Sequence, residues 1–479
     1  MAAPSDPLFA NQWHLSNASG IDLNVLPVWD PGSGAAYTGA GVSVLIFDDA
    51  VEIDPLGGHV HFDLDDNYAQ DAGGFLHLTI DGVTYAPTPI DRSGSGDSHG
   101  TQVAGILAAE RNGEGGVGVA YDVTFTVVPI QRSDAPAPTV GALERSVDFD
   151  ITNHSWGFQA DFEDNFDAAG WSGFAAALET STTAGRGGLG TINVTSAGND
   201  RQTGSDTNYH SFDNSRFTVS VAAADETGSI APYSRPGANI LVSGLSDDGS
   251  GNGTITTTDL LGSDGANSQA SPDGDYTDSF GRTSAAAPQV SGIVALMLEA
   301  NPNVGWRDVQ DILAYTARHT GSAIGGPAAG HELYTWGFNG AADWNLGGLH
   351  HSNDYGFGLV DARAAVRLAE SWTLQSTTAN AVDGGTFSTG QILAVPDGGQ
   401  AQLQFSYGGS VRIESAEITL TIEPLDDGDP QTPLDHQPGD LSLVLVDPSG
   451  TESTIFNRPG STRAVIRTAP RPSSAAPRP

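Results

Sequence analysis

Four residues in this chain have side chains suited to attacking a carbonyl group, if the fold brings them together. Ser284 opens the stretch "SAAAPQVSGIVALMLEA". A serine hydroxyl is a weak nucleophile until a base takes its proton, and that base needs a third group to orient it. His99, in "DSHGTQVAGILAA", is the candidate base, and Asp48, which ends the apolar run "VSVLIF", is the candidate orienting acid. Asn199 follows "TINVTSAG", where a side-chain amide can donate to a developing oxyanion. The order Asp, His, Ser is one of three chain orders in which such a triad recurs on unrelated folds. Each residue also has a plainer role. Asp48 could start an Asp-Asp turn, His99 could cap or pack at a helix start, Ser284 could be an ordinary N-cap, and Asn199 could be a turn residue in "AGND". Four such residues falling in register favours chemistry over four unrelated local roles.

The elements that must position them are legible between about residues 40 and 300. Near-continuous apolar runs predict strands at 41–47, 123–130, 149–156, 190–198 and 216–224, as expected when both faces of a sheet are covered. Helices are expected at 99–110, 171–185, 284–300 and 306–318, with a closing helix over 360–372. The alternation predicts an α/β fold, a mainly parallel sheet with helices on both faces. Open sheets of that kind place their sites at the carboxyl ends of the strands, which is where Asp48 falls.

Character changes after about residue 373. Residues 374–395 are rich in Ser, Thr and Gly and read as a linker. Short alternating runs over 396–466 read as a smaller, apparently incomplete all-β domain, and the Pro/Arg-rich end, 467–479, as a tail that does not fold. Five of the 19 arginines fall in the last 22 residues, so a truncated or shifted end and a natural basic tail are both open.

The charge excludes one class of partner. The 58 acidic residues outnumber 19 basic ones, for a formal charge of −39, and nucleic-acid binding needs a basic footprint. The balance suits a secreted, calcium-binding or salt-adapted protein. There is no cysteine, hence no disulfide and no thiolate chemistry. No apolar run is long enough for a membrane span, and no signal peptide is visible at the N-terminus.

The blocks "VLIFDD", "DSHGTQVAGILAA", "NHSWG", "GRGGLGTINVTSAGND" and "RTSAAAPQVSGIVALMLEANP" together resemble the subtilisin-like serine proteases, in particular bacterial members of the kexin and proprotein-convertase branch. "DPLFANQWHLSN", the doubled acid Asp48-Asp49 and "WRDVQDIL" resemble the same branch, and 434–451 is similar to the core of a convertase P domain, a jelly-roll β-sandwich. The resemblance implies a peptidase domain over 1–373 and a partial P domain over 396–466. It implies that Asp48 orients His99, that Ser284 attacks, and that Asn199 and the Ser284 backbone N–H bind the oxyanion. It implies that the backbone at Ser155, Trp156 and Gly157 pairs with a peptide or protein substrate as an added strand. It further implies a Ca²⁺ site using Asp6, Asp63 and Asn112, a second-pocket acid at Asp49, and a monomer acting outside the cell.

Three features depart from that pattern. The two first-pocket aspartates of the convertases align with Ala160 and His210, which removes much of the reason to hold a substrate arginine. The convertases read Gly-Thr-Ser at the nucleophile, and this chain reads Arg282-Thr283-Ser284. An arginine there could narrow the cleft, contact substrate acids, or disable the turn, so a catalytically impaired protein that keeps the cleft for binding is the rival reading. The resemblance to the P domain also stops near residue 460.

Overall fold

The computed structural model describes residues 3–49, 51–54, 59–69, 78–80, 83–85, 98–130, 137–168, 170–340, 348–388, 393–395, 399–406, 414–419, 441–447 and 450–458. Its centre is a six-stranded sheet. The strands are β1 (Ser43–Asp48), β2 (Thr124–Pro129), β3 (Ile151–His154), β4 (Ile192–Ser196), β5 (Thr218–Ala224) and β6 (Ile240–Leu245), in the spatial order β6-β5-β4-β3-β1-β2. Every neighbouring pair is parallel. The five strands expected from the sequence form, and β6 is an addition. β1 has β2 on one side and β3 on the other, so the strand order reverses there, and a crevice opens beyond the carboxyl ends of such strands.

Alternation along β1 feeds two cores. Val44 and Ile46 pack with Val103, Ala104 and Leu107 of α1 (His99–Ala108) and with Val290 and Val294 of α3 (Arg282–Ala300). Leu45 and Phe47 point the other way, into a cluster with Phe174 and Leu178 of α2 (Ser172–Gly188). Successive strand residues face opposite sides, so one apolar run serves both layers. α4 (Trp306–Thr316) and α5 (Ala362–Ser371) pack against one another and close the first layer.

The small residues of α1 let it lie directly on the β7 strand (Ile255–Thr258), which pairs antiparallel with β8 (Tyr276–Phe280). A Cβ at Gly105 would overlap Thr257 and Thr258, whose hydroxyls donate to the carbonyls of Gln102 (2.8 Å) and Thr101 (2.7 Å). The histidine at the start of α1 is thereby held on a rigid base. Among the described residues of the C-terminal region, β9 (Ser442–Val446) and β10 (Glu452–Asn457) form one antiparallel pair. Residues 401–406 and 415–419 lie outside any strand, and Leu403, Phe405, Ile418, Val444 and Val446 are exposed. The expected tail, 467–479, lies outside the described residues. No helix among the described residues is long and apolar enough to cross a membrane.

Candidate active site

Asp48 is the last residue of β1 and is buried; the Nδ1 of His99, the first residue of α1, lies 2.7 Å from its Oδ1. A carboxylate oxygen accepts only, so Nδ1 carries the proton and Nε2 is left as the basic nitrogen. The Phe280 ring packs on the imidazole in a T-shaped contact, with centroids 5.2 Å apart. Asp49 does different work from its neighbour. Its Oδ1 accepts from Gly100 N (2.6 Å) and its Oδ2 from His99 N (3.2 Å), which caps α1 and fixes the histidine backbone. Both oxygens of the residue expected to line the second substrate pocket are thus engaged with the helix.

Ser284 lies in the first turn of α3 and is 7% exposed. Pro288, four residues on, has no N–H to offer the Ser284 carbonyl. The hydroxyl of Ser155 supplies the missing donor at 3.1 Å, and the Ser284 hydroxyl in turn donates to the Ser155 carbonyl at 3.2 Å. Ser155 Oγ is itself held by Asn153 Nδ2 (3.0 Å), and Asn153 Oδ1 by Ser291 Oγ of α3 (2.8 Å). These bonds lock the start of α3 to Ser155, in the segment beyond β3 expected to pair with substrate.

Asn199 lies beyond the end of β4. The N–H of Thr283 donates to its Oδ1 at 3.1 Å and the Thr283 hydroxyl at 2.9 Å. A backbone N–H can only donate, so the contacting atom is the amide oxygen and the Nδ2 group is the end left to meet an oxyanion. Arg282, one residue earlier, has φ 66°, the left-handed region that glycine occupies without cost. Its backbone is held independently of its side chain. The N–H donates to Asp247 Oδ1 (2.7 Å) and the carbonyl accepts from Ser246 Oγ (2.8 Å). The exposed guanidinium lies over the Tyr233 ring at 4.7 Å.

His210 is buried and pairs through Nδ1 with Asp164 Oδ1 at 3.0 Å, while Asp161 Oδ1 lies 3.7 Å from Nε2. Burial opposes its charge, but these carboxylates outweigh burial and push it up to about 9. Ala160 is exposed on the same rim. The hairpin β9-β10 reaches this loop. Tyr209 OH donates to Asn457 O (3.3 Å) and accepts from Asn457 N (3.2 Å), and the Phe456 ring packs on Tyr209 at 5.6 Å. Two residues the sequence did not single out, Arg235 and Asp247, hold the segments after β3 and β4 together and fix the start of α3. Arg235 is the only charged residue between 227 and 246, a signal that could have found it.

Asp6 and Asp63 are both buried beside the loop after α1, where Gly113 N donates to Asp6 Oδ1 (2.9 Å) and Gly116 N to Asp63 Oδ2 (3.2 Å). The other oxygen of each, Asp6 Oδ2 and Asp63 Oδ1, is buried with no hydrogen-bond partner. Burial pushes Asp63 up to about 8. Orphaned, desolvated carboxylate oxygens beside a glycine-rich loop are the donor chemistry of a hard cation such as Ca²⁺. Asn112 fits less closely. It is exposed, and its Oδ1 accepts from Glu114 N at 2.8 Å. Among the described residues no cluster of three or more His, Cys, Asp or Glu surrounds one point.

Residues 39–358 match the profile of the peptidase S8, subtilase family. Human furin is 30% identical over 467 residues, covering 95% of this chain and 51% of furin. Furin-like protease 2 of Drosophila melanogaster is 32% identical over 474 residues, covering 95% of this chain and 25% of its own length. The chain thus spans about half the length of the furin it matches, and less of the fly protein. The serine protease of Aeromonas sobria superposes over 96% of this chain and 82% of its own, with a TM-score of 0.66 at 24% identity, a likeness of fold. With its parallel sheet, its Asp48–His99 pair and its serine at the start of a buried helix, the chain belongs to the subtilase family.

Proposed function

We infer that the protein is a serine endopeptidase that hydrolyses peptide bonds through an acyl-enzyme. The observation that carries this is the Asp48–His99 contact at 2.7 Å at the end of β1, beside β3, whose following residue Ser155 bonds Ser284, while Asn199 beyond β4 bonds Thr283. The substrate lies extended along residues 155–157 and presents an N–H to the Ser155 carbonyl. That displaces the Ser284 hydroxyl from the same carbonyl, and the hydroxyl turns to donate to His99 Nε2. His99 takes the proton as Ser284 attacks, and Asp48 stabilises the imidazolium. Asn199 Nδ2 and the Ser284 N–H receive the oxyanion. An oxyanion-hole donor of this kind contributes about 2.7–4 kcal/mol to the transition state. His99 then protonates the leaving amine, and water repeats the sequence to free the acyl group.

Asp6 and Asp63 would hold Ca²⁺ together with carbonyls of the 112–117 loop, with Asn112 at its edge, and the ion would stabilise the folded state by neutralising two buried carboxylates. Secretion, a monomeric state and a P domain over 396–466 belong to the same reading. The test is digestion of an unfolded protein in calcium. The wild type should degrade it and Ser284→Ala should not. Equal digestion by both would refute the assignment.

A further inference from the structure

We propose that Arg235 is a built-in cation in the seat a substrate Arg or Lys would take in the first substrate pocket, so that the enzyme cleaves after uncharged residues and rejects basic ones. This rests on the protease reading above. A substrate whose attacked carbonyl lies at Asn199 and whose backbone runs along residues 155–157 must place the side chain before the scissile bond between those two segments. Arg235 ties the same segments together. Its guanidinium NH2 donates to Phe158 O (2.8 Å), just past the substrate edge, and to Asp200 Oδ2 (2.6 Å), just past the oxyanion residue. Its NH1 lies 3.7 Å from Asp213 Oδ2.

The arginine is 1% exposed, and the backbone is shaped around it. Gly198 has φ 88°, and a Cβ there would come within 2.6 Å of Arg235 NH1. Arg235 N donates to Gly198 O (3.1 Å), and the preceding residues are tied by Arg201, whose N–H donates to Tyr233 O and whose Nε donates to Ser234 O.

The surrounding carboxylates are already engaged. Asp164 holds His210 Nδ1 and Phe212 N, Asp161 holds Ser205 Oγ, Asp206 holds Asn208, and Asp213 holds Thr195 Oγ1. A desolvated guanidinium or ammonium from the substrate needs its own counter-charge. It would meet Arg235 and a second cation at His210. An uncharged side chain meets the partly exposed rings of Trp156 and Phe158 instead, whose centroids lie 5.5 Å apart.

The experiment is a peptide series identical except for Leu, Gln, Lys or Arg before the scissile bond, run with wild type, Arg235→Met and Arg235→Gln. Fluorophosphonate labelling of Ser284 counts the competent sites. In the wild type, kcat/KM for Leu and Gln should exceed that for Lys and Arg at least tenfold. In the variants the ratio should move at least tenfold toward Arg, because Asp200 and Asp213 lose their internal cation. A merely structural arginine would lower all four substrates together and leave the ratio in place. Wild-type preference for Arg or Lys, or an unmoved ratio in variants that label normally, overturns the proposal while leaving the protease reading intact. If neither variant folds, the wild-type ratio decides alone. Absence of both labelling and cleavage in the wild type overturns both readings.

Discussion

Arg282→Gly tests whether the arginine beside the nucleophile obstructs the site or merely occupies a glycine-like turn. An L side chain at φ 66° costs roughly 1–2 kcal/mol. Glycine relieves that cost but gives the unfolded chain about 0.4–1 kcal/mol of extra entropy. It also loses the guanidinium–Tyr233 contact at 4.7 Å, which contributes about 0.5–1 kcal/mol at an exposed site. The terms cancel to within about 1 kcal/mol. The bonds that shape the turn, to Asp247 and Ser246, run from the backbone and survive the change. A thermal melt should therefore move by no more than a few degrees, and kcat/KM on a peptide substrate should stay within about tenfold of wild type. Arg282→Val, with a branched side chain at the same φ, should instead lose roughly 1–3 kcal/mol. A gain in turnover of a hundredfold or more for Arg282→Gly would show that the side chain blocks the cleft and would refute this reasoning.

Ser155→Ala should cost about 1–3 kcal/mol, because it strands the buried Ser284 carbonyl that Pro288 leaves without a donor. Pro288→Ala restores an N–H to that carbonyl, so the double variant should be less destabilised than the sum of the two, a coupling readable from denaturant melts. Chelation of calcium should lower Tm in the wild type, because a ligand of the native state alone stabilises it; Asp63→Asn should abolish most of that response, and an unchanged wild-type melt would remove the site. His210 is raised from 6.5 to about 9 in the fold, so its stabilisation is present below about pH 6.5 and is lost as pH rises through about 9. Stability should fall across that window in the wild type, and His210→Gln should flatten the fall.

The sequence revealed elements whose physics is local. Both-face burial writes β1 to β5 as apolar runs, and the small residues of α1 announced a helix lying close on its neighbour. β6 interrupts its apolar run with Ser243 and Gly244, and Gly244 is small because a Cβ there would press on the Ala286 carbonyl of α3 at 2.7 Å. Arg282 stood out as an arginine where glycine was expected, and the positive φ supplies the reason. Other roles depend on partners far along the chain. Nothing near Asp49 distinguishes a pocket acid from a cap fifty residues before its helix. Arg235 gains its meaning only from Phe158, Asp200 and Asp213. The reciprocal Ser155–Ser284 bonds join positions 129 apart. Of the alternating runs at 401–407 and 411–423, the described residues 401–406 and 414–419 lie outside any strand, and among the described residues of the C-terminal region β9 and β10 pair with each other.

The central claim is that Ser284 is a nucleophile activated by His99. The most direct measurement is intact-protein and peptide mass spectrometry after treatment of the calcium-loaded protein with a fluorophosphonate. The account predicts one adduct, on Ser284, that disappears in Ser284→Ala and forms far more slowly in His99→Ala. Folded wild-type protein that takes no adduct, or takes it at another residue, would contradict the account.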